Sequence, residues 1–274
     1  MKGYRRVDVE INPKKRNSKY RKEILAISQK LSALHIGPAF SCLEIVDVVY
    51  NMIFNSEKDK ASDFILSKGH GAMALYVVLK DIGVISSEQF ESIGQTGSNL
   101  GGHPDRGNPG VFASTGSLGH GLPLATGIAL GRKENKNVNS IFVLMSDGEL
   151  MEGSNWEAFL LIPTLKLDNI CIFVDHNKSI SRGKIQELHP NLMPISEKLK
   201  AFNWEVIEAD GHNSEEIFNA YVSLKSSGKP KAIICHTVKG KGVSFMENQP
   251  IWAYRSPTVE EYRIACEELD ADKI

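Results

Sequence analysis

The chain has 274 residues, with 42% hydrophobic and 24% charged side chains, a composition typical of a soluble globular protein that excludes disorder over most of the length. This length predicts one large domain or two small ones. Thirty-two basic and 33 acidic residues leave a formal net charge of −1, which disfavours a protein that coats nucleic acid, because such proteins are strongly basic.

The first predicted element is a basic arm. Lysine and arginine are crowded between Lys2 and Lys22, and we interpret residues 1–19 as a solvated arm and not as a nucleic-acid site. A single domain is predicted over residues 20–274. It opens with a helix whose apolar stripe runs from Tyr20 to Leu34.

Two signals are predicted to divide the first helix from the second. The Gly-Pro pair at residues 37–38 is typical of a helix end. Ser41 and Glu44 have the spacing of a capping box, which predicts a second helix through about residue 53.

Further along, short apolar runs alternate with helical patterns. Strands are predicted at residues 64–66, 141–145, 170–174, 206–207 and 232–235. Helices are predicted at residues 72–81, from about 120 to 133, from a capping box at 154–157 to 166, at 214–224 and at 258–269. Residues 94–119 are glycine-rich and are predicted to form a long loop, which in a compact domain is often functional. The alternation indicates an α/β domain with a largely parallel sheet.

Polar triplets follow two neighbouring predicted strands. Ser146-Asp147-Gly148 and Asp175-His176-Asn177 each stand directly after a buried run. The carboxyl ends of parallel strands meet at the edge of the sheet where ligands bind, so Asp147 and Asn177 are expected to converge. Turn residues without a metal are the alternative for either triplet alone, but the two together favour oxygen ligands for Mg²⁺ or Ca²⁺.

Four histidines adjoin a glycine: His70, His103, His120 and His212. Imidazoles in such loops suit phosphate oxygens and sugar hydroxyls. A zinc site is the competing interpretation, and it is disfavoured because no histidine pair has the spacing of zinc ligands on a helix. The sequence also lacks the glycine motifs of dinucleotide-binding and P-loop proteins.

Several features bear on location. We find no apolar run near the roughly 18 residues of a membrane span, and no secretory segment follows the basic residues. The four cysteines contain no CxxC pair, which disfavours a disulfide scaffold or a zinc ribbon. We therefore expect a cytoplasmic protein that binds neither membranes nor nucleic acid.

Eight segments together carry a family resemblance between residues 20 and 261. They are LHIGPAFSCLEIV, FILSKGHGAMALY, GGHPD, ASTGSLGHGLPLATGIALG, SDGELMEGSNWEA, DHNKSI, WEVIEADGH and HTVKGKGVSFMEN. The chain resembles the N-terminal, cofactor-binding half of transketolase, in the form in which the enzyme is split into two chains. The resemblance implies the thiamine-diphosphate-binding fold, a mainly parallel sheet with helices on both faces, as one domain over residues 20–274.

The resemblance also implies a role for each matching residue. Asp147, Asn177 and the carbonyl of Ser179 are expected to ligate Mg²⁺ (or Ca²⁺). The cofactor is expected to contact four residues, His70, Gly148, Gly116 and Leu118, the first two at the diphosphate and the others at the aminopyrimidine. His35 and His103 are expected to face the sugar, and Glu152 matches a buried glutamate that couples two active sites.

Two residues depart from the family pattern. Ser146 replaces the first glycine of a Gly-Asp-Gly motif, and its side chain is expected to crowd or contact the cofactor loop. Ala253 stands where the family has a histidine that contacts the cofactor or the sugar. Either Tyr254 or Arg255 replaces it, or the donor differs from the usual ketose phosphate.

The activity that the resemblance implies is transfer of a two-carbon ketol unit between sugars or sugar phosphates. The glutamate that assists the cofactor lies in the family on a pyrimidine-binding domain, so a second, C-terminal transketolase-like chain is expected, in an α2β2 assembly. The alternatives are a condensation like that of 1-deoxyxylulose-5-phosphate synthase, a zinc hydrolase and a non-catalytic partner subunit.

Overall fold

The computed structural model describes residues 12–31, 34–56, 62–137, 139–180 and 183–271. The central sheet is parallel and has five strands. They are β1 Asp63–Leu66, β2 Ile141–Ser146, β3 Ile170–His176, β6 Glu205–Asp210 and β7 Lys231–His236. Their order across the sheet is β1-β2-β3-β7-β6. A separate antiparallel hairpin joins β4 Ser179–Ile180 to β5 Gly183–Lys184.

Helices cover both faces of the sheet. They are α1 Pro13–Ser28, α2 Ile36–Val48, α3 Phe54–Ser56, α4 Ala72–Asp81, α5 Ser87–Glu91, α6 Gly121–Glu134, α7 Gly153–Thr164, α8 Ile185–Leu188, α9 Ile195–Ala201, α10 Ser214–Leu224 and α11 Val259–Ala271. Alternate side chains of a strand point to opposite faces. Phe142 and Leu144 of β2 therefore pack with α2, α4 and α10, whereas Val143 and Met145 pack with α6 and α7. This confirms the predicted α/β fold.

The prediction of a solvated basic arm is wrong for the part that the structure describes. Helix α1 begins at Pro13, and the Asn12 side chain caps it by accepting from the Lys14 N–H at 3.0 Å. Arg16 is only 4% exposed and donates two hydrogen bonds to Asp47, at 2.7 and 2.6 Å. The folded domain therefore starts before residue 20, and residues 1–11 lie outside the described part.

The first predicted helix boundary is also wrong, because the Gly-Pro pair starts a helix. Helix α1 ends at Ser28 and α2 begins at Ile36. Pro38 thus lies in the first turn of α2, where an intrahelical partner for its missing N–H would be absent in any case. The long helix then continues through a wider π-helical turn, Val49–Ile53.

Both predicted capping boxes are wrong, because each serine lies inside a helix and bonds a distant residue. Ser41, within α2, donates to Asp175 Oδ1 at 2.6 Å. Ser154, within α7, donates to the Gly119 carbonyl at 2.7 Å. A capping box that the sequence patterns did not predict opens α5, where Ser86 and Gln89 bond each other's backbone.

The remaining predicted elements are confirmed with small changes of boundary, and α4 and α10 have the predicted bounds. Residues 94–119, all described, contain no regular helix or strand. The stretch Ile36–Ser56 is long and apolar enough to pass a length and composition test for a membrane span. It is also 89% buried in its most apolar window, as the core helix of a globular domain would be.

Candidate functional site

The structure brings the two predicted triplets together at the carboxyl edge of the sheet. Ser146 and Asp175 are paired across β2 and β3, and the Asp147 N–H donates to the Asp175 carbonyl at 3.2 Å. The Asp147 carboxylate is fully buried. Its Oδ2 accepts from the Lys178 N–H at 2.6 Å and lies 3.0 Å from His176 Nδ1. Burial raises the pKa of Asp147, because desolvation disfavours the charged form.

Asn177 is held so that its oxygen faces the β4 hairpin. Its Nδ2 donates to Ser41 Oγ at 3.1 Å and to Asp175 Oδ2 at 3.2 Å, which leaves Oδ1 to accept from the Ser179 N–H at 3.0 Å. In the described part of the chain, no three His, Cys, Asp or Glu side chains form a metal-holding group. A cation here would be held by the carboxylate of Asp147, the amide oxygen of Asn177 and backbone carbonyls. This donor set fits Mg²⁺ or Ca²⁺.

Two glycine contacts bring the loops of the site close to one another. A Cβ on Gly69 would lie 2.8 Å from the Gly116 nitrogen, so the turn after β1 meets the long loop at this point. Gly116 has a φ of +146°, and a Cβ there would lie 3.1 Å from the His103 ring. Leu118 is half-buried in the same loop. A side chain at residue 69 or residue 116 would therefore push these loops apart.

Gly148 also lies in a tight space. Its amide donates to Asp147 Oδ1 at 2.8 Å, and a Cβ at residue 148 would lie 2.8 Å from Ile180 of the hairpin. The hairpin therefore packs directly on the loop that carries Asp147.

Three of the predicted histidines form one cluster. The His35 ring lies 5.4 Å from the His103 ring and 6.3 Å from the His70 ring, measured between centroids. His35 has a left-handed backbone, with φ of 53°, which is uncommon for a residue with a side chain and is found at functional sites. The sequence motifs placed these histidines far apart along the chain, and the fold brings them together.

Two imidazoles of the cluster, those of His35 and His70, favour the neutral form. Burial lowers the pKa of His35, and the neighbouring His103 lowers it further, while a hydrogen bond with the backbone of Ala253 acts in the opposite direction. Burial lowers the pKa of His70 well below its ordinary value, and the Lys68 charge adds to the effect. Each neutral ring can donate one hydrogen bond and accept one.

The other two glycine-flanked histidines do not join the cluster. His120 is exposed and precedes α6. His212 lies 3.0 Å from Glu44 through Nδ1, and its Nε2 accepts from the Val238 N–H at 2.8 Å. Both ring nitrogens of His212 are therefore used inside the fold.

A buried ion pair beneath the site was not predicted from the sequence. Lys68 and Asp175 are both fully buried and form a salt bridge. Thr237 and Ser41 also donate to Asp175 Oδ1. Lys68 and Asp175 each follow a predicted strand, which placed both at the carboxyl edge of the sheet. No local pattern indicated that the two charges would pair.

A second buried cation, Lys239, was also not predicted. Its side chain is 6% exposed and forms no ion pair with a described residue. Burial lowers the pKa of Lys239, and the Lys68 charge lowers it further. The carboxylates of Asp175 and Asp147 act in the opposite direction without outweighing these effects. A buried ammonium group of this kind suits an anionic ligand.

Replacement of Lys239 by methionine is expected to raise the free energy of unfolding of the chain without cofactor, by about 1 kcal/mol or more near neutral pH, because it removes a buried charge. In the folded chain the pKa of Lys239 lies below the ordinary 10.5. The free energy of unfolding of the wild type should therefore rise with pH up to about that value, because the folded chain loses the Lys239 proton first. This contribution should be missing in Lys239→Met. Urea unfolding across this pH range measures both effects. A destabilised variant would contradict the interpretation.

The role of Glu152 as a buried glutamate that couples two active sites stays a prediction, because it concerns an assembly and the structure holds a single chain. The Glu152 side chain is exposed at the start of α7, with its Cβ beside Gly119. The buried glutamate of this loop is Glu149, on the short turn Gly148–Met151. No residue of the described part of the chain covers the Glu152 side chain.

The structure clarifies both departures from the family pattern. Ser146 Oγ accepts from the Glu149 N–H at 3.2 Å, so the hydroxyl bonds the turn beside it. Ala253 is buried. Arg255 makes two hydrogen bonds of 2.7 Å to Glu261, so it is not free to replace the family's histidine. Tyr254 is 50% exposed and is the remaining candidate.

Comparison with known proteins identifies the family. The model of the family described as transketolase, thiamine diphosphate binding domain, matches residues 17–253. This chain belongs to the transketolase family. The match confirms the predicted resemblance and makes the chain a thiamine-diphosphate-binding subunit of that family.

Relatives that are themselves subunits match this transketolase-family chain over nearly its full length. One subunit of the apulose-4-phosphate transketolase of Phocaeicola vulgatus is 38% identical over 259 residues, which cover 92% of this chain and 92% of that protein. A 6-deoxy-6-sulfo-D-fructose transketolase subunit of a Clostridium species is 35% identical and covers 89% of this chain and 90% of that protein.

Solved transketolase structures share the fold. The transketolase of Campylobacter jejuni superposes with a TM-score of 0.82 at 28% identity, over 95% of this chain. The chain spans only 43% of the length of that enzyme. It therefore resembles one part of a longer transketolase.

Proposed function

We propose that this chain catalyses transfer of a two-carbon ketol unit between sugars or sugar phosphates, with thiamine diphosphate and Mg²⁺, as one subunit of a two-chain transketolase. The observation that carries the proposal is the meeting of the oxygen ligands at Asp147 and Asn177 with the loops that bear the histidine cluster. Bound thiamine diphosphate would supply the nucleophilic carbon and the electron sink. The protein would supply position and electrostatic stabilisation.

Each element of the site has a proposed task. Asp147, Asn177 and the Ser179 carbonyl hold Mg²⁺. His70 and the Gly148 amide contact the diphosphate, whose negative charge the buried Lys239 would offset. Gly116 and Leu118 lie against the aminopyrimidine.

His35 and His103 would hydrogen-bond the sugar. His103→Ala is expected to lower kcat by about 10²- to 10³-fold, the cost of losing one donor to developing charge, while the affinity for thiamine diphosphate stays near wild type. Steady-state kinetics and cofactor titration of the same preparation measure the two quantities. His120→Ala is the matched control, because His120 lies outside the cluster. Equal losses of kcat and cofactor affinity would contradict this role.

The partner would cover the exposed side of α6 and α7. Leu124, Leu160 and Leu161 are 45%, 59% and 47% exposed, and open space surrounds Gly127 and Gly131 of α6. An apolar, glycine-bearing surface of this kind marks a protein interface, and an obligate interface usually exceeds about 2,000 Å². The relatives named as subunits support a second chain with the pyrimidine-binding domain, and we propose an α2β2 assembly in the cytoplasm.

The direct test compares turnover by the purified full chain with turnover after addition of the pyrimidine-domain chain, using thiamine diphosphate, Mg²⁺ and ketose and aldose phosphates. We expect ketol transfer only when both chains are present. The relatives' names add apulose 4-phosphate and 6-deoxy-6-sulfofructose as donors to try. Transfer by this chain alone would contradict the two-chain proposal, and a cofactor-free, inactive assembly would indicate a non-catalytic role.

A further inference from the structure

Glu149 joins three separate loops of the site through one buried carboxylate. The residue is fully buried. Its Oε1 accepts from Ser67 Oγ at 2.5 Å and from the Gly119 N–H at 3.0 Å. Its Oε2 accepts from the Ser146 N–H at 3.3 Å. The three donors come from three separate segments of the sequence and share this one carboxylate as their acceptor.

Each donor lies beside residues that we assign to the cofactor. Ser67 precedes Lys68 and the turn Gly69–Gly71, which contains His70. Gly119 follows Leu118 at the end of the long loop. Ser146 precedes Asp147. The carboxylate therefore contacts the loop of the diphosphate residues, the loop of the aminopyrimidine residues and the loop of the metal ligand.

The backbone of Glu149 extends the same connection. Its N–H donates to Ser146 Oγ at 3.2 Å, and its carbonyl accepts from Asn155 Nδ2 at 2.7 Å. The residue thus also fixes the start of α7 relative to the loop of Asp147. Gly121 packs directly against Ser67, because a side chain at residue 121 would overlap the Ser67 side chain. The loop of Ser67 and the start of α6 therefore have little room to move.

We propose that Glu149 is a positioning residue that holds these three loops in the arrangement that binds thiamine diphosphate. The proposal rests on the proposed function of the site. It assigns Glu149 no contact with cofactor or substrate. It also assigns a role to Ser146, which departs from the family pattern. The Ser146 N–H donates to the Glu149 carboxylate, and the Ser146 hydroxyl accepts from the Glu149 N–H.

The three hydrogen bonds require that both carboxylate oxygens of Glu149 act as acceptors. Two of the three donors are backbone N–H groups, which cannot reverse their role. Glutamine has nearly the same shape, but its amide nitrogen cannot accept, so one backbone N–H would face another donor. An unpaired buried donor is expensive, and the loop that carries it should move away.

The first test is amide hydrogen exchange of the full chain without cofactor. Glu149→Gln should speed exchange in the three segments around residues 67–71, 116–121 and 146–151 together. Glu215→Gln, an exposed glutamate of α10, is the matched control and should change none of them. Faster exchange confined to residues 146–151 would overturn the proposal, because it would show a local role only.

The second test titrates thiamine diphosphate into the two-chain complex at fixed Mg²⁺. Glu149→Gln should weaken binding at least about tenfold, as loss of a residue that orients ligands does, in a complex that still assembles and melts cooperatively, although at a lower temperature than the wild type. Ser67→Ala removes one of the three donors and should have a smaller effect, and the double variant should be no worse than Glu149→Gln. If Glu149→Gln does not fold, Ser67→Ala decides by the same two measurements.

The outcomes separate this inference from the proposed function. Unchanged cofactor affinity in a folded Glu149→Gln complex overturns the positioning role while the proposed function stands. A wild-type complex that binds no thiamine diphosphate overturns the proposed function. Hydrogen exchange would then still report whether Glu149 holds the three loops together.

Discussion

Asp147→Asn is expected to reduce Mg²⁺-dependent binding of thiamine diphosphate by at least about 100-fold, the upper range for groups around a metal. The substitution keeps the shape of the side chain and removes the only carboxylate of the proposed ligand set. The fold should survive. Both oxygens of Asp147 accept backbone N–H groups, from Gly148 and Lys178, and an amide can replace only one of these acceptors. The asparagine variant without cofactor should therefore stay folded but melt somewhat below the wild type.

The measurement is a calorimetric titration of the two-chain complex with thiamine diphosphate at several Mg²⁺ concentrations, beside thermal melts. Asp210→Asn is the matched control, because Asp210 also ends a strand at this edge of the sheet but is exposed. Asn177→Ala should weaken binding less than Asp147→Asn, since it removes a neutral ligand. Wild-type affinity in Asp147→Asn would show that the metal site lies elsewhere.

Leu160→Asp is expected to abolish assembly with the partner chain and, with it, ketol transfer. Leu160 is 59% exposed on α7, so an aspartate there is solvated in the separate chain and should not disturb its fold. In an interface the same carboxylate would be buried without a counter-ion, which costs several kcal/mol. The apparent dissociation constant of the two chains should therefore rise by about 100-fold or more, since about 1.4 kcal/mol corresponds to a factor of ten.

Sedimentation velocity of the mixed chains measures assembly, and the same mixtures are assayed for transfer. The control is Val222→Asp, because Val222 is 51% exposed on α10, which packs on the opposite face of the sheet. The control should assemble and turn over like the wild type. If Leu160→Asp assembles normally, the exposed side of α7 is not the partner surface.

The sequence by itself determined the sheet and the position at which the proposed metal ligands lie. Buried strands need continuous apolar runs, and the runs before Ser146 and Asp175 are unbroken. Because parallel strands end at a common edge, the order of the strands was enough to place Asp147 and Asn177 together. The family motifs likewise named the histidines at residues 35, 70 and 103.

Local patterns failed where a side chain has a distant partner. Ser41 matched a capping box, yet it bonds Asp175, 134 residues away. Arg16 matched a solvated arm, yet it is buried against Asp47, 31 residues away. A hydroxyl or a guanidinium has several possible partners, and only the packed fold selects one.

Tertiary structure alone decided the electrostatics of the site. The buried Lys68–Asp175 pair and the three bonds to Glu149 join residues from different loops, and Lys239 is buried beside them. Sequence periodicity reports which residues are buried but not which buried charges meet. Since the cost of a buried charge depends on its neighbours in space, the chemistry of these groups could be determined only once the loops were folded around them.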